Sequence, residues 1–473
     1  MRIAALLGLF GAISAASILV SAARAGIEPV SPDFARAGDE AAGILASYIQ
    51  IDTTNPPGNE RRGAEHLAGV LRGNGIEASL FDTAPGRACV YARLKGTGAK
   101  RPVILLNHID VVPARAEDWR HAPFSGEVHD GELWGRGALD MKGMGVAELE
   151  AMLLLKRSGK ELDRDVIFLA TPDEEVGGTA GANIFIDRHQ DLIGDAEYLI
   201  NEGFHIDRGG DGKPECWGVD VSEKSVLWLK VAARGPAGHA SMPIENAATN
   251  ELVRALDRIV NAPPEPHVLP AVREYFREVS KTQSGPRQAA YADIDAAVKD
   301  PGMLRELMQD KLRSSMLLNT ISLTVLQGGY KTNVIPAEAS AELDCRLLPG
   351  VRKEDFVSHV EKLAGSPAVK VSVLDWLTTD ASPYDTDLFK AIKTVAAQET
   401  PGVPVVPLVV PWFTDSHWFR ALGITCYGFE PFEIDPEHLA TLHGKDERIP
   451  LVELTKGIRR LYRVLDLLCS HAS

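Results

Sequence analysis

The chain has 473 residues, 45% of them hydrophobic and 24% charged, with a formal net charge of −15. That length can bury a large core in two or more domains, and the composition excludes a fibrous or largely disordered chain. The acidity argues against a nucleic-acid footprint, which needs a basic face, and against binding to anionic membrane surfaces.

At the N-terminus Arg2 precedes an apolar, small-residue run over 3–20 and then Ser21-Ala22-Ala23-Arg24-Ala25. A charged start, an apolar stretch and a small-residue cleavage site predict an export signal, with cleavage after Ala25. A retained membrane anchor is the alternative. Export implies a periplasmic or secreted protein with no stable membrane association after cleavage. It also places Cys89, Cys216, Cys345, Cys426 and Cys469 in an oxidising compartment. Their odd number and wide spacing predict buried thiols with at most one or two disulfides.

Beyond the signal, a helix is predicted over 39–50, followed by the turn-rich Thr53-Thr54-Asn55-Pro56-Pro57-Gly58. Short apolar runs over 103–107, 165–171 and 197–201 read as buried strands, and 146–156 as a helix. Strands alternating with helices predict an α/β layered domain with a mostly parallel sheet. From about Ser222 the pattern becomes β-α-β-β-α-β: strands over 225–233, 320–327, 339–348 and 369–376, helices over 250–260 and 353–364. That order fits a small ferredoxin-like α+β unit. The stretch 263–316 is polar, Pro-interrupted and helical in period, and reads as an insertion. A helix over 387–398 and strands over 403–410 and 424–429 restore the first pattern. The expected organisation is a signal over 1–25, a catalytic domain over 26–222 and 379–473, and an inserted lid or dimerisation domain over 223–378.

Five dispersed segments carry the chemistry. His108 and Asp110 stand two apart at a strand end, so in extended geometry they share a side. An imidazole ligand needs its second nitrogen fixed, and Asp110 could supply that. Asp140 follows a Gly-rich turn, and its two carboxylate oxygens could bridge two ions. Glu174 and Glu175 end an apolar strand ahead of Gly177-Gly178; as neighbours pointing different ways, one suits ligation and the other general-base work on the attacking water. Glu202 and His443 complete the set, while His417 and His438 read as surface or supporting residues. Each segment alone is weak; together they match what two adjacent divalent ions require.

In order and residue type these segments resemble the M20 family of co-catalytic zinc peptidases and deacylases, over about residues 40 to 460. The resemblance implies that His108 and Glu202 bind one zinc, Glu175 and His443 the other, and that Asp140 bridges them; cobalt or manganese would be the substitutes. It implies Glu174 as base, Asp110 as the residue orienting His108, and a cis Asp140–Met141 peptide. Gly235-Pro236-Ala237-Gly238-His239-Ala240-Ser241, Asn333-Val334-Ile335-Pro336 and Asp344-Cys345-Arg346 are similar to the family's lid segments. By that likeness His239, reaching a partner's active site in a homodimer built through the inserted domain, and Asn333 would stabilise the oxyanion. Arg346 would hold a substrate carboxylate, and Thr414 would touch substrate. One departure stands out: Pro411-Trp412-Phe413-Thr414-Asp415 replaces a glycine-rich run, which implies a narrower, more apolar wall and a taste for an apolar acyl group or side chain.

The expected activity is hydrolysis of an amide beside a free carboxylate. A carboxypeptidase acting on small peptides and an N-acyl amino acid deacylase share this machinery, so both stay open. A non-catalytic zinc-dependent binding protein is a third reading, disfavoured by the presence of Glu174.

Overall fold

The computed structural model describes residues 31–208 and 212–471; the expected export signal lies outside them. The apolar runs do form buried strands. Val103–His108 and Val166–Thr171 are buried at every position, as parallel strands covered on both faces require. They pair in parallel with each other. Val103–His108 also pairs in parallel with Tyr198–Asn201, and that strand with Thr425–Gly428. Antiparallel Arg87–Leu94 and Ala78–Ala84 extend one side. On the other side Pro214–Glu223 carries Val405–Val410 in parallel. The result is a ten-stranded mixed sheet with a parallel centre.

Helix Lys142–Ser158 is buried around almost its whole circumference, between Phe34–Ile49, Leu451–Cys469 and the sheet. Its apolar residues spread over most of its surface and need such enclosure, and the buried Glu148 among them accepts Asn107 Nδ2 at 2.8 Å. It begins at Lys142, a turn earlier than the apolar period suggested, because Gly143 and Gly145 let its first turn press against the backbone at Ala138 and against Asn107.

Ser225–Arg234, Thr320–Gly328, Glu338–Leu347 and Val369–Leu377 form a separate antiparallel sheet. The first strand lies between the third and fourth, and the third between the first and second, which is the ferredoxin-like order. Helices Ala248–Val260 and Lys353–Ala364 bury Leu252, Leu256, Phe356 and Val360 against it.

The stretch 263–316 turns helical from Pro270, as its period indicates; Pro263, Pro264, Glu265 and His267 line a cavity with Ile321, Phe356 and His359 of the small unit, but the first helix packs elsewhere. Val272, Tyr275, Phe276 and Val279 of helix Pro270–Val279 join the hydrophobic core of the large sheet, against Val405–Val410 and Pro214–Glu223. By packing, the inserted stretch is therefore shared between both layers rather than one contiguous unit over 223–378. Apolar surface on this helix outweighs its position in the chain. All five cysteines are buried and free.

Candidate active site

Parallel strands present their carboxyl ends at one edge, where open α/β sheets bind ligands. His108 is the last residue of its strand, Glu174 and Glu175 follow Val166–Thr171 in a short 3₁₀ turn, and Glu202 follows Tyr198–Asn201. Asp140 arrives on the turn before helix Lys142–Ser158, across a cis Asp140–Met141 peptide. His443 comes from the loop after Pro436–Leu439 with φ 55°, a left-handed conformation unusual for a side chain with a Cβ. Gly203 follows Glu202 where a Cβ would stand 2.4 Å from the Gly428 Cα, so only glycine lets these two strand ends converge.

The five metal-type residues form two groups that share Asp140. His108 Nε2 lies 3.1 Å from Asp140 Oδ1 and 3.6 Å from Glu202 Oε2. His443 Nε2 lies 2.9 Å from Asp140 Oδ2 and 3.2 Å from Glu175 Oε2. Each oxygen of Asp140 thus faces a different imidazole. His108 Nδ1 is 2.9 Å from the Asp110 carbonyl oxygen. A carbonyl only accepts, so Nδ1 donates and a neutral ring leaves the Nε2 lone pair for a ligand.

Asp110 works differently from the sequence expectation. Its carboxylate is 3.7 Å from His108 Nδ1 and instead accepts the backbone N–H groups of Glu174 and Glu175, at 3.1 Å each, and Asn55 Nδ2 at 2.8 Å. The side chain clamps the glutamate turn; its backbone carbonyl orients the imidazole.

The donor set fits divalent ions. Glu175 Oε1 and Glu202 Oε1 are buried without a hydrogen-bond partner, an expensive state for carboxylates unless something else meets them. Nitrogen and oxygen donors with no thiolate suit zinc, cobalt or manganese. The electrostatics agree. Burial, and then the Glu202 carboxylate, push Glu174 well above the usual carboxylate range. Hydrogen bonds to Asp140 and Glu175 push His443 up to about 10, so positive charge is welcome between these acids.

Several supporting residues were missed by sequence reasoning. Glu447, fully buried, accepts the N–H groups of Leu139 and Asp140 through Oε1, at 2.8 and 3.0 Å. Through Oε2 it accepts Gly137 N–H and Arg136 Nη1, and Arg136 also holds the Gly444 carbonyl. One glutamate therefore fastens the Asp140 turn to the His443 loop. It stands four residues after His443, and its partner Arg136 lies in the segment that carries Asp140. Asn55 and Arg87 brace Asp173, the residue before the glutamates. Asp415 accepts the Thr171 hydroxyl at 2.9 Å, and burial pushes it up to about 8.

Thr414 is buried. Its hydroxyl donates to Glu223 Oε1 at 2.8 Å and accepts from Asn201, so it braces the wall and does not offer a free hydroxyl to substrate. His417 and His438 are also buried rather than superficial: His417 Nδ1 donates to the Thr414 carbonyl, and His438 sits between Asp435 and Glu132. Trp412, 37% exposed, lies parallel to Phe204, two residues beyond Glu202, with centroids 6.4 Å apart.

The small sheet places the remaining residues elsewhere. His239 and Asn333 are exposed and come together on the two-residue ladder Gly238–His239 and Val334–Ile335, where Ala240 N–H donates to the Asn333 carbonyl. Arg346 pairs with Asp344 at 2.8 Å. Lys224, at the junction of the two sheets, is wholly buried with the Thr320 hydroxyl as its acceptor at 3.3 Å. Burial, with Arg346 adding to it, pushes Lys224 down to about 7. Among the described residues none of these four has a hydrogen bond or ion pair to the strand-end cluster.

A layered α/β sheet with acids and imidazoles gathered at its strand ends has the arrangement of a metal-dependent hydrolase. Residues 104–467 match the Peptidase family M20/M25/M40, and the chain belongs to that family. It is 32% identical over 375 residues to a probable carboxypeptidase S-like 2 of Dictyostelium discoideum, covering 77% of this chain and 71% of the relative. It is 28% identical over 441 residues to aminoacylase-1 of Homo sapiens, covering 90% and 95%. Among solved structures, the M20 family metallo-carboxypeptidase Sso-CP2 from Sulfolobus solfataricus superposes with a TM-score of 0.68, at 20% identity, over 91% of this chain and 99% of that one. The last likeness speaks for the fold. The protein is a hydrolytic enzyme of the peptidase and aminoacylase kind, in a family that depends on metal.

Proposed function

We propose that the protein hydrolyses an amide bond beside a free carboxylate, as an exported carboxypeptidase or dipeptidase with two zinc ions. The observation that carries this reading is the shared Asp140, whose two oxygens face His108 and His443 while buried oxygens of Glu175 and Glu202 lack partners. His108, Asp140 and Glu202 would hold one ion, and Asp140, Glu175 and His443 the other. Ions bound there supply Lewis acidity to the substrate carbonyl and to the attacking water.

Glu174 takes the proton of that water and returns it to the leaving nitrogen. A carboxyl raised by burial and by Glu202 is suited to both steps, because it accepts a proton readily and still gives it up. Asp110 fixes its position through the backbone of the turn. Arg346 takes the substrate carboxylate, a bidentate task for a guanidinium. Lys224 beside it, buried without an acidic partner among the described residues, adds to the attraction for an anion. His239 and Asn333 donate to the oxyanion of a partner subunit. Exposed apolar residues of the small unit, among them Trp228, Val253, Val373 and Leu374, favour a homodimer through that unit.

N-acyl amino acid deacylation is the second reading. It is favoured by the Trp412–Phe204 stack, which gives the site an apolar wall near Glu202. Dipeptides and N-acyl amino acids of graded chain length, assayed with the zinc-loaded enzyme, decide between the two; no turnover of either class would sink both. Export is proposed from residues 1–25, and a mature N-terminus at Gly26 is the expected result of N-terminal sequencing.

A further inference from the structure

Outside the strand-end cluster, a second convergence of nitrogen and oxygen ligands lies on the edge of a separate three-stranded sheet formed by Val128–His129, Glu132–Trp134 and Arg448–Pro450. His121 and His129 come from two sides of a loop and stack face to face, with ring centroids 3.7 Å apart and planes 14° apart. Glu127 lies between the two in sequence. Its Oε2 is 2.9 Å from His129 Nε2 and 3.9 Å from His121 Nδ1. The three ligand atoms all fall within 4.8 Å of one another.

We propose that His121, Glu127 and His129 form a peripheral site for a divalent transition-metal ion such as Zn²⁺ or Ni²⁺. Two imidazoles and one carboxylate are the donor set such ions prefer, whereas Mg²⁺ and Ca²⁺ want oxygen alone. The ion displaces the Nε2–H that His129 donates to Glu127, and the neutral ring binds through Nε2 as its Nδ1–H tautomer. Metal–imidazole bonds lie in the ring plane, so binding requires one ring to leave the stack. His129 is the one that turns: its side chain is 38% exposed on a two-residue edge strand, whereas His121 is 24% exposed and rests edge-on against Trp134 at 4.7 Å. With three protein ligands at the surface, water completes the coordination, and the ion binds more weakly than one in an enclosed four-ligand site.

The site has a structural consequence. Arg120, adjacent to His121, donates its N–H to Asp446 at 2.7 Å, and Asp446 stands three residues beyond His443. An ion at His121, Glu127 and His129 therefore clips the loop that leans on the His443 segment, without touching the catalytic residues.

The test is metal counting by equilibrium dialysis of the full-length protein against rising free Zn²⁺, with melting temperature followed in parallel. The wild type is expected to bind one weak equivalent more than His129→Ala or the double variant His121→Ala/His129→Ala, whatever the strand-end cluster holds. Its melting temperature is expected to climb further over that same Zn²⁺ range. Glu127→Gln, an exposed change that leaves both rings in place, is expected to weaken the same equivalent. Equal metal content in wild type and double variant, each with a cooperative melt, would overturn the proposal. So would an extra equivalent in the wild type that Glu127→Gln leaves at full affinity.

Discussion

The strand-end cluster and the small sheet hold comparable numbers of chemistry-bearing residues, yet only the first is assembled within one chain. His108, Asp140, Glu175, Glu202 and His443 come from segments up to 335 positions apart (443 − 108), yet each lies within 3.6 Å of another member of the cluster. A parallel sheet does this as a matter of course, because neighbouring strands run the same way and end at the same edge. His239, Asn333 and Arg346 sit on an antiparallel unit joined at Lys224, and among the described residues they have no hydrogen bond or ion pair to the cluster. The charges contrast too: the cluster gathers acids, two of whose buried oxygens lack partners, whereas at the junction buried Lys224 has only the Thr320 hydroxyl as acceptor among the described residues, near an Arg346 held by Asp344. In our proposed reading metal completes one half, and substrate and a second subunit complete the other.

The largest expected effect tests the assembled half. Glu174→Gln keeps size and hydrogen-bonding capacity but removes the base, so kcat should fall by about 10²–10⁴-fold. Metal content should stay at the wild-type value. Retained turnover, or loss of metal together with activity, would mean that Glu174 is a ligand or a bystander rather than the base.

The unassembled half is probed next. His239→Ala should lower kcat by about 10²–10³-fold if it supplies an oxyanion donor. Mixing that variant with Glu174→Gln distinguishes donation within a chain from donation across a dimer. In a mixed dimer one site combines an intact Glu174 with the other chain's intact His239. Random exchange of subunits should then restore about a quarter of wild-type activity. A mixture as inactive as its components would place His239 in its own chain's chemistry, or in none.

A third test asks whether fastening matters as much as ligation. Glu447→Gln removes the carboxylate that accepts four donors, from Arg136, Gly137, Leu139 and Asp140, while leaving every metal-type residue in place. Partners of this sort are worth about 10–100-fold in metal affinity. The expected result is weaker zinc binding measured by competition with a chelator, with residual activity restored by excess zinc. Unchanged affinity would make Glu447 a fold element alone.

The contrast between the halves also marks what the sequence could reveal. The strands were legible because continuous apolar runs such as Val103 to Leu106 have few other places to go, and the acids and histidines just past them followed. The cis Asp140–Met141 peptide was expected from family resemblance alone, with no local signal. Glu447 was passed over because its partner Arg136 is 311 residues away, and no local pattern ties the two. The two-residue spacing puts Asp110 beside His108 but does not say whether its carboxylate or its backbone carbonyl faces the ring. Helix Pro270–Val279 has a period that shows one apolar face, but periodicity does not say which of two sheets that face will meet.

The smallest effect concerns the junction, where the sign of a stability change separates a tolerated buried cation from one held ready for an anion. Lys224 is fully buried and pushed down to about 7 by burial and by Arg346, against an unfolded value near 10.4. Between those values the unfolded chain holds a proton that the folded chain has released, so stability from this group rises with pH across that window. Below about 7 both states carry the charge and the burial cost is felt in full. Lys224→Met should therefore melt higher than wild type near pH 6, by on the order of a few degrees, with the gap closing toward pH 10. A substrate-like carboxylate ligand should narrow the gap at pH 6, because it stabilises only the protein with the cation. Parallel melting curves for the two proteins at every pH would mean that the Lys224 ammonium is already satisfied in the folded chain, and would remove it from the proposed carboxylate subsite.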